Sequence, residues 1–156
     1  MIEADKDIKA AAPSIFVRPA VEQDCQRLCD IYLAVRRQTF TWVSPDHFRR
    51  DDFLMHSKGE EQLICEVDAS VVGFISVFRP ENFIHMLFVM PAFQGYGVGG
   101  ALLAALPGWP QQSYRLKCLV KNQRARGFYL SKGFKVTGSG ASTEGDYEEL
   151  TFAGQP

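Results

Sequence analysis

"QGYGVGGALL", residues 94–103, places four glycines, at 95, 97, 99 and 100, within six positions and then runs into residues that favour a helix. Just upstream, "FIHMLFVM" (83–90) is a nearly continuous apolar run, the pattern of a strand buried on both faces at the centre of a sheet. A strand, a glycine-rich turn and a helix start make a ready anion site. Unpaired N–H groups point outward there, the helix dipole adds positive potential, and missing side chains let phosphate oxygens touch the backbone.

Three readings of the glycines compete. Gly95, Gly97 and Gly100 satisfy the dinucleotide fingerprint G-x-G-x-x-G. That reading also needs an acidic residue ~20 positions on for the ribose, and none occurs before Glu144. The fingerprint belongs, moreover, on the first strand of a doubly wound fold, whereas several elements precede it here. A phosphate-binding P-loop requires Lys then Ser or Thr after the glycines, and none follows. Packing of a helix against a strand rarely asks for glycine at all four positions.

Working outward, residues 1–13 have no periodicity and read as a flexible N-terminal tail, followed by one domain over 14–156. "IFVRPA" is a short strand. Cys25, Leu28, Cys29, Tyr32, Leu33 and Val35 recur at helical spacing over about 22–37. "SPDHFRRDDFLMH" restarts a helix with Ser44 as N-cap and Pro45 in its first turn. "EQLICEV" and "VVGFISVF" flank a "DAS" turn and form a hairpin. After the glycine helix, "RLKCLV" is a strand with Leu116, Cys118 and Val120 on one side. "NQRARGFYLSKG" is a helix capped by Asn122 and closed by Gly133, and "FKVTGSG" and "YEELTF" are the last strands. The order β-α-α-β-β-β-α-β-α-β-β is that of a mixed α/β domain built on one central sheet.

At 156 residues and 46% hydrophobic content the chain suits a single core. No apolar run reaches the ~20 residues of a membrane span, and the charged start lacks a secretory signal, so a soluble cytoplasmic protein is expected with no membrane partner. Cys25, Cys29, Cys65 and Cys118 form no CxxC pair and read as reduced, packed thiols, with no metal site. A net charge of −1 gives no reason to expect nucleic acid. The charge is lopsided, however: residues 82–143 carry seven cations and no carboxylate, while all eighteen carboxylates lie elsewhere. An anionic ligand would dock on the basic half.

"LFVMPAFQGYGVGGALL" resembles the acetyl-coenzyme A signature of the GCN5-related N-acetyltransferases (GNAT), Q/R-x-x-G-x-G/A, matched by Gln94, Gly95, Tyr96, Gly97, Val98 and Gly99. "NQRARGFYLSKGFKVTG" is similar to the family's second block, at the usual separation, and the element order covers its fold from about Ile15 to Phe152. The resemblance implies a GNAT fold with splayed central strands and acetyl-coenzyme A as co-substrate. It places the pantetheine arm against the main chain of Leu87, Phe88 and Val89, and the pyrophosphate on N–H groups from Gln94 to Gly100. Asn122, Ala125 and Phe128 would line the cofactor.

The implied reaction is acetyl transfer to a primary amine by direct attack in a ternary complex. Tyr129 would protonate the leaving thiolate, and a main-chain N–H, Val89 by expectation, would hold the oxyanion. Strand alternation puts His85 on one face with Phe83 and Leu87, where it is either the base that takes the amine proton or a packed residue. The acceptor segments are "RRQTFTWVS" and "GASTEGDYEEL": Arg36, Arg37 and Trp42 suit a carboxylate or ring, and Asp146, Glu148 and Glu149 a cationic amine. His47 and His56 read as surface residues. A small amine is preferred over a protein amino group. A non-catalytic acyl-coenzyme A sensor and a nucleotide-binding module are the alternatives, and a homodimer is the family's habit.

Overall fold

Asp68 and Ala69, with φ of 50° and 66°, turn strand β2 (Glu61–Val67) back into β3 (Ser70–Phe78). Two successive positive φ values match the right-handed twist of a tight hairpin. The computed structural model describes residues 14–156, so the flexible tail expected over 1–13 lies outside the described residues. The remaining elements are β1 (Ile15–Pro19), α1 (Cys25–Thr39), α2 (Asp52–His56), β4 (Phe83–Val89), α3 (Val98–Ala104), β5 (Tyr114–Leu119), α4 (Gln123–Ser131), β6 (Lys135–Ser142) and β7 (Gly145–Phe152). Their order along the chain is the one read from the sequence.

The strands form one seven-stranded mixed sheet in the order β1-β2-β3-β4-β5-β7-β6, antiparallel except for the parallel β4–β5 pair. Val98, Leu102 and Leu103 of α3 and Tyr129 of α4 pack on one face with Ile75, Val77 and Ile84. Leu28, Cys29, Ile31, Tyr32 and Val35 of α1 and Phe53 of α2 pack on the other, with Ile64, Phe74 and Met86. Full burial of such side chains contributes about 1.5–3 kcal/mol each, so the helices are held mainly by their apolar faces.

Helix α2 departs from expectation. Only Asp52–His56 is helical, Pro45–His47 forms a single tighter turn, and Ser44 makes no side-chain cap. The carbonyls a longer helix would have used are taken by α1. Arg37 donates to Pro45 O (3.1 Å) and Phe48 O (2.9 Å), and Arg36 to Arg49 O (3.1 Å), while Phe48 turns into the core at 1% exposure. At the end of β5, Val120 is exposed, unlike the buried Leu116 and Cys118.

Strand β4 is fourth of seven, as its apolar run implied, but it is not buried along both faces. Ser76 pairs with Met86 and Val77 with Ile84, so His85 is the extra residue of a β-bulge. The bulge resets the alternation. Ile84, Leu87 and Val89 face the α3/α4 layer, whereas Met86 and Phe88 face α1. His85 keeps Phe83 as a neighbour (ring centroids 6.3 Å apart) but lies across the sheet from Leu87, correcting the face assigned from simple alternation.

Candidate active site

β4 and β5 pair only at Phe83↔Arg115 and Ile84↔Leu116 and then part, while β5 stays paired with β7 through Leu119↔Tyr147. The other edge of β4 follows β3 to Gly73↔Val89, and Met90 N donates to Val72 O at 2.8 Å. In an antiparallel ladder the bonded positions alternate. The even residues Met86, Phe88 and Met90 therefore bond β3, and the N–H groups of Leu87 and Val89 turn into the gap that β5 leaves. Phe88, expected to offer main-chain groups to a ligand, spends them on β3 and gives the gap its ring.

The glycine loop closes the open end. Gly95 and Gly97 have φ of +87° and +84°, which disfavour a side chain, and nothing lies within 4 Å of where a Cβ would stand. Among the described residues the six successive N–H groups from Gly95 to Gly100 have no main-chain acceptor; the first bond of α3 is Ala101 N to Gly97 O, 3.0 Å. Such a run of outward N–H groups is an anion-binding concavity. Gly99 and Gly100 have a different reason to lack side chains. A Cβ at Gly99 would stand 3.1 Å from the Phe128 ring, and one at Gly100 3.2 Å from Lys132 Nζ. Gln94 Nε2 donates to Val89 O at 3.1 Å, tying the loop to the strand end.

Gap and loop form one cavity of about 400 Å³. Leu87, Phe88, Val89, Gln94, Gly95, Gly97, Val98, Gly99, Gly100, Asn122, Ala125, Phe128 and Tyr129 all line it. Tyr96 does not, its side chain being half exposed beside Phe93. The Val98 side chain is buried in the core, so only its main chain serves the loop. Asn122 caps α4 by accepting from Ala125 N at 3.3 Å. Reading the sequence missed Val35, Thr39, Phe93, Arg124 and Lys132, which also line the cavity. Arg124 and Lys132 belong to the basic run. Arg115 and Arg126 of that run are paired with carboxylates, and Lys121 sits over Trp42.

Tyr129 is 8% exposed, and among the described residues its hydroxyl has no hydrogen-bond partner although it reaches the cavity. Burial pushes its phenol well above the ordinary value, with the nearby Cys118 adding to the shift, so the hydroxyl stays a donor at neutral pH. His85 lies outside this cavity. Its Nδ1 stands 2.7 Å from Glu60 Oε2, on the α1 side of β4.

The acceptor segments are largely committed to the fold. Arg36 is buried, donating to Tyr32 O (2.9 Å) and Asp52 (3.0 Å) with its guanidinium over the Tyr32 ring, and Arg37 holds two carbonyls. Trp42 Nε1 donates to Glu144 O at 2.7 Å, and His47 stands 3.6 Å from the Glu144 carboxylate. Glu148 is paired with Arg126 and Glu149 with Arg115; Asp146 and Glu148 line a separate groove between α4 and β6–β7. His56 is exposed and bonded to the Tyr32 hydroxyl at 2.8 Å.

The family profile of the acetyltransferase (GNAT) domain matches residues 20–146. An uncharacterized N-acetyltransferase of Mycobacterium bovis is 33% identical over 97 residues, 54% of this chain, and the match spans only 62% of that relative's length. A probable N-acetyltransferase of Mycobacterium tuberculosis is 28% identical over 143 residues, 80% of this chain and 82% of its own. In fold, the chain is similar to the PaiA N-acetyltransferase of Thermoplasma acidophilum, solved in complex with coenzyme A, with a TM-score of 0.68 and 18% identity over 87% of this chain and 98% of the other. With the profile spanning most of the chain and the parted β4–β5 pair leading into a glycine loop, this protein belongs to the GNAT acetyltransferase family.

Proposed function

We propose that the protein is an N-acetyltransferase that carries acetyl from acetyl-coenzyme A to a primary amine, both bound at once. The observation that carries this reading is the run of six N–H groups, Gly95 to Gly100, without a main-chain acceptor among the described residues, at the mouth of a gap that already presents Leu87 and Val89 N–H. The loop suits a pyrophosphate, with Arg124 and Lys132 as the cations beside it. The gap suits an extended amide-bearing arm that takes the place of a strand. The likeness to a structure holding coenzyme A agrees with this assignment.

In the reaction the amine attacks the thioester carbonyl, forming a C–N bond, and Leu87 or Val89 N–H stabilises the oxyanion. Collapse breaks the C–S bond. The Tyr129 hydroxyl, held protonated and without a hydrogen-bond partner among the described residues, delivers a proton to the thiolate, and His85 takes the proton the amine must lose. A small amine is favoured over a peptide because the Trp42–Glu144 and His47–Glu144 contacts join the α1–α2 connection to the β6–β7 hairpin across the acceptor side.

Thermal unfolding with ligands tests the reading. Acetyl-coenzyme A is expected to raise Tm while NAD and ATP do not. A screen of amines for acetyl-dependent thiol release then identifies the acceptor. Stabilisation by NAD or ATP instead would overturn the assignment, and stabilisation by acetyl-coenzyme A with no amine acetylated would favour a sensor.

A further inference from the structure

We infer that Glu60 is the positioning residue that sets His85 as a proton acceptor, an inference that rests on the acetyl-transfer reading above. Glu60 precedes β2, and its side chain is only 8% exposed, whereas that of His85 is 38% exposed. A carboxylate buried this far needs partners, and among the described residues the Glu60 side chain has two. Ser76 Oγ, on a residue with no exposed surface, donates to Glu60 Oε1 at 2.6 Å, and Glu60 Oε2 faces His85 Nδ1 at 2.7 Å.

Hydrogen-bond directions follow from what each group can do. Gln62 Nε2 donates to Ser76 Oγ at 2.9 Å, so the serine hydroxyl sends its own hydrogen on to Glu60. A carboxylate only accepts, so Nδ1 must carry the hydrogen between the ring and Glu60. In the neutral ring that leaves the Nε2 lone pair pointing away from the carboxylate, available to a proton from outside. When Nε2 takes a proton from an incoming amine, the imidazolium holds both N–H groups and keeps Glu60 as its counter-charge. The buried relay Gln62–Ser76–Glu60 thus fixes one tautomer of a half-exposed base.

The β4 bulge puts this base on the α1 side of the sheet. Because His85 is the extra residue, its ring shares the α1 face of the sheet with Met86 and Phe88, and the Phe88 ring lines the cavity with Val35 and Thr39 of α1. A strand without the bulge would send either His85 or Phe88 to the opposite face. Among the described residues the other titratable groups on this side have partners: His56 Nδ1 is hydrogen-bonded to the Tyr32 hydroxyl, and Glu144 faces His47. Arg115, beyond the Phe83 ring, is paired with Glu81.

The test compares wild type, Glu60→Gln and Glu60→Ala in the full chain, using long-range ¹⁵N–¹H spectra of the histidines and acetyl transfer to an amine found in the thiol-release screen. In wild type His85 is expected to carry its hydrogen on Nδ1. In Glu60→Gln the amide can donate to Nδ1, so the hydrogen moves to Nε2 and kcat/KM for the amine falls at least ~10-fold, while stabilisation by acetyl-coenzyme A persists. Glu60→Ala should give mixed tautomers and a similar loss. An Nε2–H tautomer in wild type, or unaltered amine turnover in both variants, overturns the inference. If wild type acetylates no amine, it is the functional reading that fails, and the spectra still decide whether Glu60 sets the tautomer.

Discussion

Gln94 holds Val89: its side-chain amide donates to the Val89 carbonyl at 3.1 Å, across the bend between the last strand residue and the glycine loop. The bond engages the Val89 carbonyl, an acceptor at the strand end that would repel a bound carbonyl. Replacing Gln94 with Ala removes a net ~0.5–1.5 kcal/mol of loop-positioning energy. Acetyl-coenzyme A is therefore expected to bind about three- to tenfold more weakly by titration calorimetry, with kcat at saturation little altered. An unchanged Kd would show that the loop holds its shape without this contact.

Gly97 and Gly99 separate by the same kind of measurement. Gly97→Ala must be accommodated at φ +84° in open space, so it strains the loop at about 1–2 kcal/mol without blocking anything. Gly99→Ala has ordinary φ but meets Phe128 at 3.1 Å, so it should push that ring into the cavity and weaken acetyl-coenzyme A binding with a smaller change in stability. A paired comparison of Tm and Kd checks this. The opposite ranking, with Gly99→Ala the more destabilised and the tighter binder, would refute the division of roles.

Asp24 supplies a pH signature of the β1–α1 junction. Arg18 donates to both of its carboxylate oxygens, at 2.8 and 3.0 Å, and Val21 N adds a third bond at 2.8 Å. The Arg18 hydrogen bonds, with help from Val21, outweigh the cost of burial and hold the carboxyl below its ordinary value. A depressed folded-state value means the stabilisation is complete above the unfolded-state value of about 3.9 and is lost as pH falls through the folded-state value. Asp24→Asn is expected to cost about 1–3 kcal/mol at pH 7. In urea titrations it should lose less stability than wild type below about pH 4; parallel pH profiles would contradict this account.

Much of this geometry was legible in the sequence, because local signals and the fold agree. The apolar run at 83–90, the glycines after it and the Asn122 cap each bias the backbone where they stand, and the order of elements followed from them. What was not legible depends on contacts between distant segments. Arg36 and Arg37 looked available for a substrate because nothing local shows that they reach the carbonyls of residues 45, 48 and 49. The bulge at His85 arises from the register with β3, and a period-two reading of β4 alone misses it. Glu60 gave no signal, since its importance lies in being buried beside Ser76, sixteen residues on. Lys132 was visible only as part of a basic run, although its position past α4 brings it to Gly100.

Tyr129 offers the sharpest test of the chemistry. Its ring is wedged against Phe128 and Phe134, with centroids 5.4 Å away in both cases, so Tyr129→Phe keeps the packing and removes only the hydroxyl. Because that hydroxyl bonds nothing among the described residues, its loss should leave Tm and acetyl-coenzyme A affinity near wild type. If the phenol protonates the departing thiolate, kcat should drop about 10²–10⁴-fold. Burial raises the phenol above its ordinary value of about 10, so the proton remains in place through neutral and mildly alkaline pH. The wild-type rate should then show no alkaline limb from this group below about pH 10. A Phe variant that turns over at the wild-type rate would move the proton donor elsewhere, leaving Tyr129 as a wall of the cavity.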